Sequence, residues 1–438
     1  MKKLIFIAAL ILGVNQIIAQ NSKIKVYFTK PVDNSISPTA DGIYIPNMDD
    51  TVVSYINKAN LTLDIAVYDN GSTKIVNAIN SAYLRGVVVR YISTSLALNS
   101  ALGSLNSGIQ LLKRSSTDVM HNKFIIIDAG TAANSYLLTG SMNFTSGNIF
   151  DDPNNFIIIQ DQALCQAYKT EFEEMWGSST AYYNSANSKF GPQKTDNTQH
   201  IFNINGTNVE MYFSPSDGTT SKIDFALNTC NFSTQFAMFT FINNTLGDNI
   251  INLHNSGKDV KGIIENISYF GSEYAGFISN GIDVLSHENI PNSFHHKYGI
   301  VDALNSSSDP MVITGSHNWT NSAENDNDEN TLIIHDPFIA NQYYEEFMTR
   351  YNEMISSISE IESQKTITIS PNPSNGQFKW KSKNKEVKLI SISNSLGEII
   401  PMETNSKDII LNNLTDGLYF LKFSDGKKDY FCKIIISK

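Results

Sequence analysis

Cysteine is scarce in this chain. Three residues in 438 (Cys165, Cys230, Cys432) share no metal-ligand or redox spacing, which argues against a disulfide framework or a Cys-based metal centre. Past the first nineteen residues no run reaches the roughly 20 apolar residues that a membrane-spanning helix needs. Charge is sparse as well, at 17%, while 41% of residues are hydrophobic, the balance of a folded chain rather than a disordered one. Basic residues are fewest where the chain is longest: residues 20–364 hold 18 Lys and Arg against 36 Asp and Glu. Such a body disfavours non-specific binding to a polyanion, because affinity for nucleic acid comes largely from neutralising phosphates. The tail, residues 365–438, is the reverse, with 12 Lys against 7 acids.

At 438 residues the chain is too long for one ordinary core, and two or three domains are expected. Residues 1–19 open with Met1-Lys2-Lys3, continue as the apolar run Leu4 to Val14, and end on a small residue, Ala19. This is the pattern of a secretory signal peptide. Strand-like and helix-like stretches then alternate. Ile24–Phe28, Leu61–Tyr68, Val87–Ile92, Lys123–Ile127, Tyr136–Thr139 and Phe156–Ile159 read as strands, and Val52–Ala59, Thr73–Arg85 and Gln162–Trp176 as helices. A Ser/Asn/Tyr/Gln-rich connector over 177–200 follows, and the pattern restarts. Val209–Ser214 echoes Ile24–Thr29, and strands are expected at Ser233–Phe241, Val260–Glu265, Lys297–Val301, Met311–Thr314 and Thr331–Ile334. Helices are expected at Ser221–Asn228, Leu246–Ser256 and Pro337–Ser356. A period of about 175–185 residues is far beyond a solenoid repeat; it marks a duplicated α/β domain with helices outside mainly parallel or mixed sheets. The expected division is 20–190 and 191–356 for the two halves, a polar linker at 357–365, and an all-β sandwich over 366–438, where short strands are punctuated by turn dipeptides such as Asn375-Gly376 and Asp425-Gly426.

The two halves repeat chemistry as well as pattern. The first carries His121, Lys123 and Asp128, then Thr139-Gly140-Ser141-Met142-Asn143; the second carries His295, Lys297 and Asp302, then Thr314-Gly315-Ser316-His317-Asn318. Both read H-x-K-x4-D, a spacer, then T-G-S-x-N. Side chains at i and i+2 of a strand share a face, so each His points the same way as its Lys. Histidine serves as nucleophile or as general acid and base near neutral pH, and lysine is a point charge suited to a phosphate oxygen. Two copies supply what one cannot: one His to attack phosphorus and another to protonate the leaving alkoxide and then activate water. The lysines, with Ser141, Asn143, Ser316 and Asn318 as phosphate-binding groups, would hold the equatorial oxygens, and the chemistry requires no metal. His296 and His317 occupy unmatched positions and read as strand-face or loop histidines; Phe144, Phe294 and Trp319 read as packing residues.

The paired motifs closely resemble the HxKxxxxD signatures of the phospholipase D superfamily, in outline over residues 24–352. That resemblance implies a single active site between two pseudo-symmetric halves, covalent catalysis by histidine without a cofactor, and a structural or electrostatic role for Asp128 and Asp302. Two departures stand out. The spacer between Asp and Gly-Ser is lengthened by turns at 129–135 and 303–310. The acidic residue before the next strand is kept as Glu329 in the second half, whereas the first half has Asn154-Asn155. The tail resembles type IX secretion sorting domains through Ser370-Pro371-Asn372-Pro373 with Gly376, Val387–Ser393 with Leu396-Gly397, Leu414-Thr415-Asp416-Gly417-Leu418-Tyr419, and a basic-apolar last strand ending at Lys438. With the signal peptide it implies export to the cell surface or medium through the type IX machinery. The expected protein is a secreted phosphodiesterase, monomeric in function, acting on phospholipid head groups at a peripheral membrane surface. A secreted nuclease of the same superfamily is the alternative, and a surface binding protein with a vestigial site the third. A basic groove beside the two His would favour the nuclease, an apolar rim the lipase.

Overall fold

A computed structural model describes residues 20–438 other than 116, 395–397, 402–407, 411–413, 428 and 438. The expected signal peptide, Leu396-Gly397 and Lys438 therefore lie outside the described residues. The chain divides into two compact units, one ending at Phe347 and one spanning Met348–Lys438.

The first unit contains two sheets of the same design. In the first half, strands β1 (Ile24–Phe28), β2 (Thr62–Val67), β3 (Val88–Thr94), β4 (Gln110–Arg114), β5 (Lys123–Ile127), β6 (Tyr136–Gly140) and β7 (Asn155–Ile159) lie in the order β1-β7-β6-β5-β2-β3-β4. The second half contributes β8 (Ile201–Ile204), β9 (Thr207–Ser214), β10 (Ser233–Met238), β11 (Asp259–Ile264), β12 (Asp283–Ser286), β13 (Lys297–Val301), β14 (Met311–Gly315) and β15 (Glu329–His335). Their order is β12-β11-β10-β13-β14-β15-β9-β8, the same sequence of equivalents with one extra edge strand. In both, the three strands at one edge run parallel and the remainder antiparallel. The motif strands sit in mid-sheet. Lys123-Phe124-Ile125-Ile126-Ile127 is buried along its whole length, which is why it reads as an unbroken apolar run rather than an alternating one.

Helices α1 (Met48–Ile56) and α2 (Thr73–Leu84) cover one face of the first sheet, packing on Leu63, Ile65, Tyr91, Ile125 and Ile127. On the other face α3 (Gln162–Trp176) sets Tyr168 against Phe124 and against Phe213 of the second half. The second half repeats this with α4 (Thr219–Asn228), α5 (Asn244–Asn255), α6 (Tyr274–Ser279), α7 (Asn321–Asn325) and α8 (Pro337–Thr366); Tyr343 of α8 packs on Tyr298 and Phe28. Equivalent helices start alike: Ser72 caps the Ile75 N–H and Asn243 caps the Leu246 N–H. Helix α3 ends on Gly177 in the left-handed region, φ 74°, where glycine carries no steric penalty.

The expected elements differ from the observed ones in instructive ways. The edge strands β4, β8 and β12 were not expected; their short, polar-flanked sequences carry little periodicity. The strand expected over Ser233–Phe241 ends at Met238; Phe239, just past it, packs its ring on His295. The helix expected to stop at Ser356 continues through the polar linker to Thr366. The connector also does more than join the halves. Its Lys194 is fully buried, paired with Glu171 and 3.3 Å from Asp328, while Arg114 of β4 grips the other oxygen of Asp328 at 2.6 Å.

The second unit is all-β within the described residues after α8. Strands β16 (Ile367–Ser370), β17 (Gln377–Ser382) and β20 (Asp408–Ile410) form one sheet. Strands β18 (Lys388–Asn394), β19 (Ile399–Ile400), β21 (Gly417–Ser424) and β22 (Asp429–Ile436) form the other. Their inner faces share a core in which Trp380 meets Phe423 edge-on at 5.0 Å, as sheets stacked in a sandwich do.

Candidate active site

Strands β5 and β13 begin at the same edge of their sheets, where β2 and β10 end: Val67 is opposite Lys123 and Met238 opposite Lys297. His121 and His295 sit just before these strands, and each is tied to the other half. The His121 N–H donates to the carbonyl of Asp328 at 2.9 Å, and the His295 N–H to that of Pro153 at 3.0 Å. Their rings are crossed over in the same way. Nδ1 of His121 donates to both carboxylate oxygens of Glu329, at 2.7 and 2.9 Å. Nδ1 of His295 lies 2.9 Å from Oδ1 of Asn154. The Asn154 amide is oriented by its Nδ2, which donates to the carbonyls of Asn148 and Asp152, so its oxygen must face His295. In both rings Nδ1 therefore carries the proton and Nε2 holds the lone pair; that of His295 lies 3.4 Å from Lys297 Nζ.

The T-G-S-x-N segments build the supports. Ser316 Oγ donates to Glu329 at 2.6 Å and Ser141 Oγ to Asn154 at 2.9 Å, and each serine oxygen accepts the backbone N–H of the following Asn330 or Asn155. Gly140 and Gly315, at φ 144° and 149°, are required here: a Cβ on either would stand 2.4 or 2.2 Å from the carbonyl oxygen of Asn155 or Asn330. Thus Ser141 and Ser316, expected to line the substrate, hold the partners of the two histidines and are themselves fully buried. Asn143 and Asn318 each keep a buried Oδ1 with no partner.

Asp128 and Asp302, placed with the catalytic motif and given a structural or electrostatic role by the resemblance, do not reach this pocket. A five-residue strand separates each from its Lys, roughly 16 Å at ordinary strand rise. Asp128 accepts the N–H groups of Asn60, Leu61 and Thr62; Asp302 accepts those of Asn231, Phe232 and Ser233. The lengthened turns close over them, with Asn134 donating to Asp128 and Ser308 to Asp302. Both aspartates take a positive φ, 47° and 51°, at the far end of the motif strand. Their role is to fix the loops that enter β2 and β10. Burial alone would raise the Asp302 pKa, but the Ser308 hydroxyl and three amides overcome it and hold the carboxyl below its ordinary range. Its contribution is therefore present at neutral pH and fades only as acid protonates it. Asp302→Ala is expected to cost about 2 kcal/mol of stability by orphaning three amides while leaving turnover within about threefold; chemical denaturation alongside kinetics checks this.

Electrostatically the pocket is under tension. Burial pushes His121 down to about 4, against the pull of Glu329, and Lys123 down to about 7. His295 and Lys297 are pushed well below their ordinary values, first by burial and then by the neighbouring cations: Lys297, Lys123 and His121 act on His295, and Lys123 acts on Lys297. The four groups thus share one site: Glu329 stands beside His121, with Asp69 and Asp152 acting on Lys123 and Lys297, whereas the neutral Asn154 stands beside His295. Such a site is completed by an anion. Tyr68 and Phe239 pack on His121 and His295 at 5.0 and 4.9 Å, and Lys123 and Lys297 lie 5.3 and 4.9 Å from the same two rings.

Sequence reasoning noted Glu329 and Asn154 as a mismatch without placing them on the histidines, and it missed Tyr68, Phe239 and the interior pairs. Asn122 receives Asn330 Nδ2 at 2.9 Å; its counterpart His296 lies 2.9 Å from Glu346 and 3.4 Å from Asn155. His317 is buried beside Glu324, 3.7 Å away.

The family model described as "Cardiolipin synthase, PLD-like domain" matches residues 52–176 and 224–351. The chain belongs to the phospholipase D-like family. Residues 368–437 match the "Secretion system C-terminal sorting domain", which marks the protein for export to the cell surface or medium. Among relatives, the "Mitochondrial cardiolipin hydrolase" of Xenopus tropicalis is 31% identical over 141 residues, 31% of this chain and 63% of the relative. The protein of that name from Homo sapiens is 32% identical over 122 residues, 27% of this chain and 46% of the relative. The chain thus spans about half to under two thirds of the length of these relatives. The fold is also that of the phosphatidylserine synthase of Haemophilus influenzae, with a TM-score of 0.50 at 14% identity over 70% of this chain and 87% of that one.

Proposed function

We propose that this phospholipase D-like protein hydrolyses phosphodiesters, and specifically those joining a phospholipid to its head group. The observation that carries this reading is the crossed pair of histidines, each with an unprotonated Nε2 and each braced through Nδ1 by a residue of the other half. As the phosphate anion enters, one ring takes up a proton on Nε2; the other Nε2 then attacks phosphorus, the P–O bond to the leaving group breaks, and the departing oxygen takes that proton from the imidazolium. That ring then removes a proton from water as the water oxygen attacks phosphorus and the P–N bond breaks, which releases a phosphomonoester and restores both rings. Lys123 and Lys297, whose ammonium groups are disfavoured in the free site, regain charge against the phosphate oxygens.

The lipid reading is supported by the relatives named as cardiolipin hydrolases and by the acidic body, which would repel a nucleic acid. It is tested by presenting purified protein with phosphatidylcholine and phosphatidylethanolamine vesicles, single-stranded DNA and RNA, all in EDTA. Free head group is expected from lipid, at a rate the chelator does not change. Cleavage of nucleic acid with lipid untouched would move the assignment to the nuclease, and activity lost in EDTA and restored by a divalent ion would refute a purely side-chain mechanism.

A further inference from the structure

The two aromatics that pack on the histidines are held by loops with an unusual tip. After β3, Asn99 N–H donates to Asp69 and Asn99 Nδ2 to the carbonyl of Tyr68. After β11, the Asn266 N–H donates to the carbonyl of Phe239 and Asn266 Nδ2 to Thr240. Because β3 and β11 run parallel to β2 and β10, both loops leave their sheets at the edge where the motif strands begin. Each then exposes large apolar side chains: Leu98 is 85% exposed and Phe270 fully so, with Leu96 and Tyr269 each at 54%. Neither Ser95–Asn99 nor Asn266–Ser272 contains a charged residue.

We infer that these two loops form a bilayer seat, inserting Leu96, Leu98, Tyr269 and Phe270 into the headgroup boundary so that the histidine pocket between them opens onto the lipid phosphodiester. The inference rests on the lipid reading of the site. Uncharged tips bearing Leu, Phe and Tyr suit the interfacial zone, where aromatic and aliphatic side chains gain by burial. An acidic body has nothing to gain from an anionic surface, so the attraction must be apolar and weakly dependent on salt. A nucleic-acid substrate would instead call for Lys or Arg at these positions.

The test compares the full chain with Leu98→Ser/Phe270→Ser in three measurements: co-sedimentation with phosphatidylcholine vesicles at low and high salt, hydrolysis of those vesicles, and hydrolysis of bis(p-nitrophenyl) phosphate, which is soluble and monomeric. Vesicle binding by the double variant is expected to fall at least about tenfold, with wild-type binding little changed by salt. Vesicle hydrolysis should fall in parallel, and turnover of the soluble diester should stay within about twofold. Undiminished vesicle binding by the variant, absence of binding by the wild type, or equal loss on the soluble diester would each overturn the seat. If the wild type binds vesicles through these loops yet releases no head group, the seat stands and the lipid assignment of the pocket falls.

Discussion

His121→Ala and His295→Ala are each expected to lower turnover by about 10⁴-fold or more, and the double variant to be no worse than either single one. The reasoning is that one pocket uses both rings in one sequence of steps, so removing either member stops the cycle, and effects of groups acting as a unit do not add. Two independent sites would behave differently, each single variant keeping about half of the activity. The folding consequences should be unequal. His121→Ala leaves the buried Glu329 carboxylate without the ring N–H that bonds both its oxygens, a loss of about 1–3 kcal/mol. His295→Ala leaves only the neutral Asn154 amide, whose oxygen still accepts from Ser141, and should cost less. Kinetics on a soluble diester with thermal melts of all four proteins decide the matter; wild-type-like rates in either folded single variant would refute the shared site.

The same asymmetry explains what could be foreseen from the sequence. The duplicated architecture was visible because its central strands are dense β-branched runs repeated in order, and because H-x-K and T-G-S-x-N are short local patterns. Local patterns say which residue types are present and which share a face. They do not say what lies opposite in a second sheet. That Glu329 serves His121, 208 positions earlier, follows from how the halves face each other, and nothing near either residue encodes it. Strand arithmetic could have relocated Asp128 and Asp302, since five residues of strand after each Lys cannot end where they began. The x of H-x-K was harder. Asn122 and His296 point away from the pocket into the polar layer between the halves, where Asn155, Asn330, Tyr168 and Tyr343 meet Thr139 and Thr314. A buried layer of this kind is specified by complementary partners, which a single sequence does not pair.

Lys123→Met should make the protein inactive and more stable at once. An ammonium group in the free pocket is disfavoured by burial, which brings Lys123 down to about 7 from an ordinary value of 10.5. Between those two pH values the unfolded chain binds a proton that the folded chain does not, so this residue makes wild-type stability rise with pH across the window. At neutral pH the penalty is on the order of a few kcal/mol. Methionine removes the penalty and keeps most of the apolar stem, while giving up the bond from Nζ to the His121 carbonyl. The melting temperature of the variant is therefore expected to exceed that of the wild type at pH 7, with the gap closing toward pH 10. Turnover should fall about 10²–10³-fold, the usual cost of one preorganised charge donor. Lys297→Met, at the other depressed lysine, should repeat the pattern. Orthovanadate supplies a direct readout. Its binding to the wild type should take up protons near and above pH 7 as Lys123 recharges, and should weaken as pH rises further; the Lys123→Met variant should lose the uptake that Lys123 supplies. A variant that melts lower at pH 7, or wild-type affinity that does not respond to pH, would mean that the lysine is already charged in the empty pocket and that an anion is not what the site is missing.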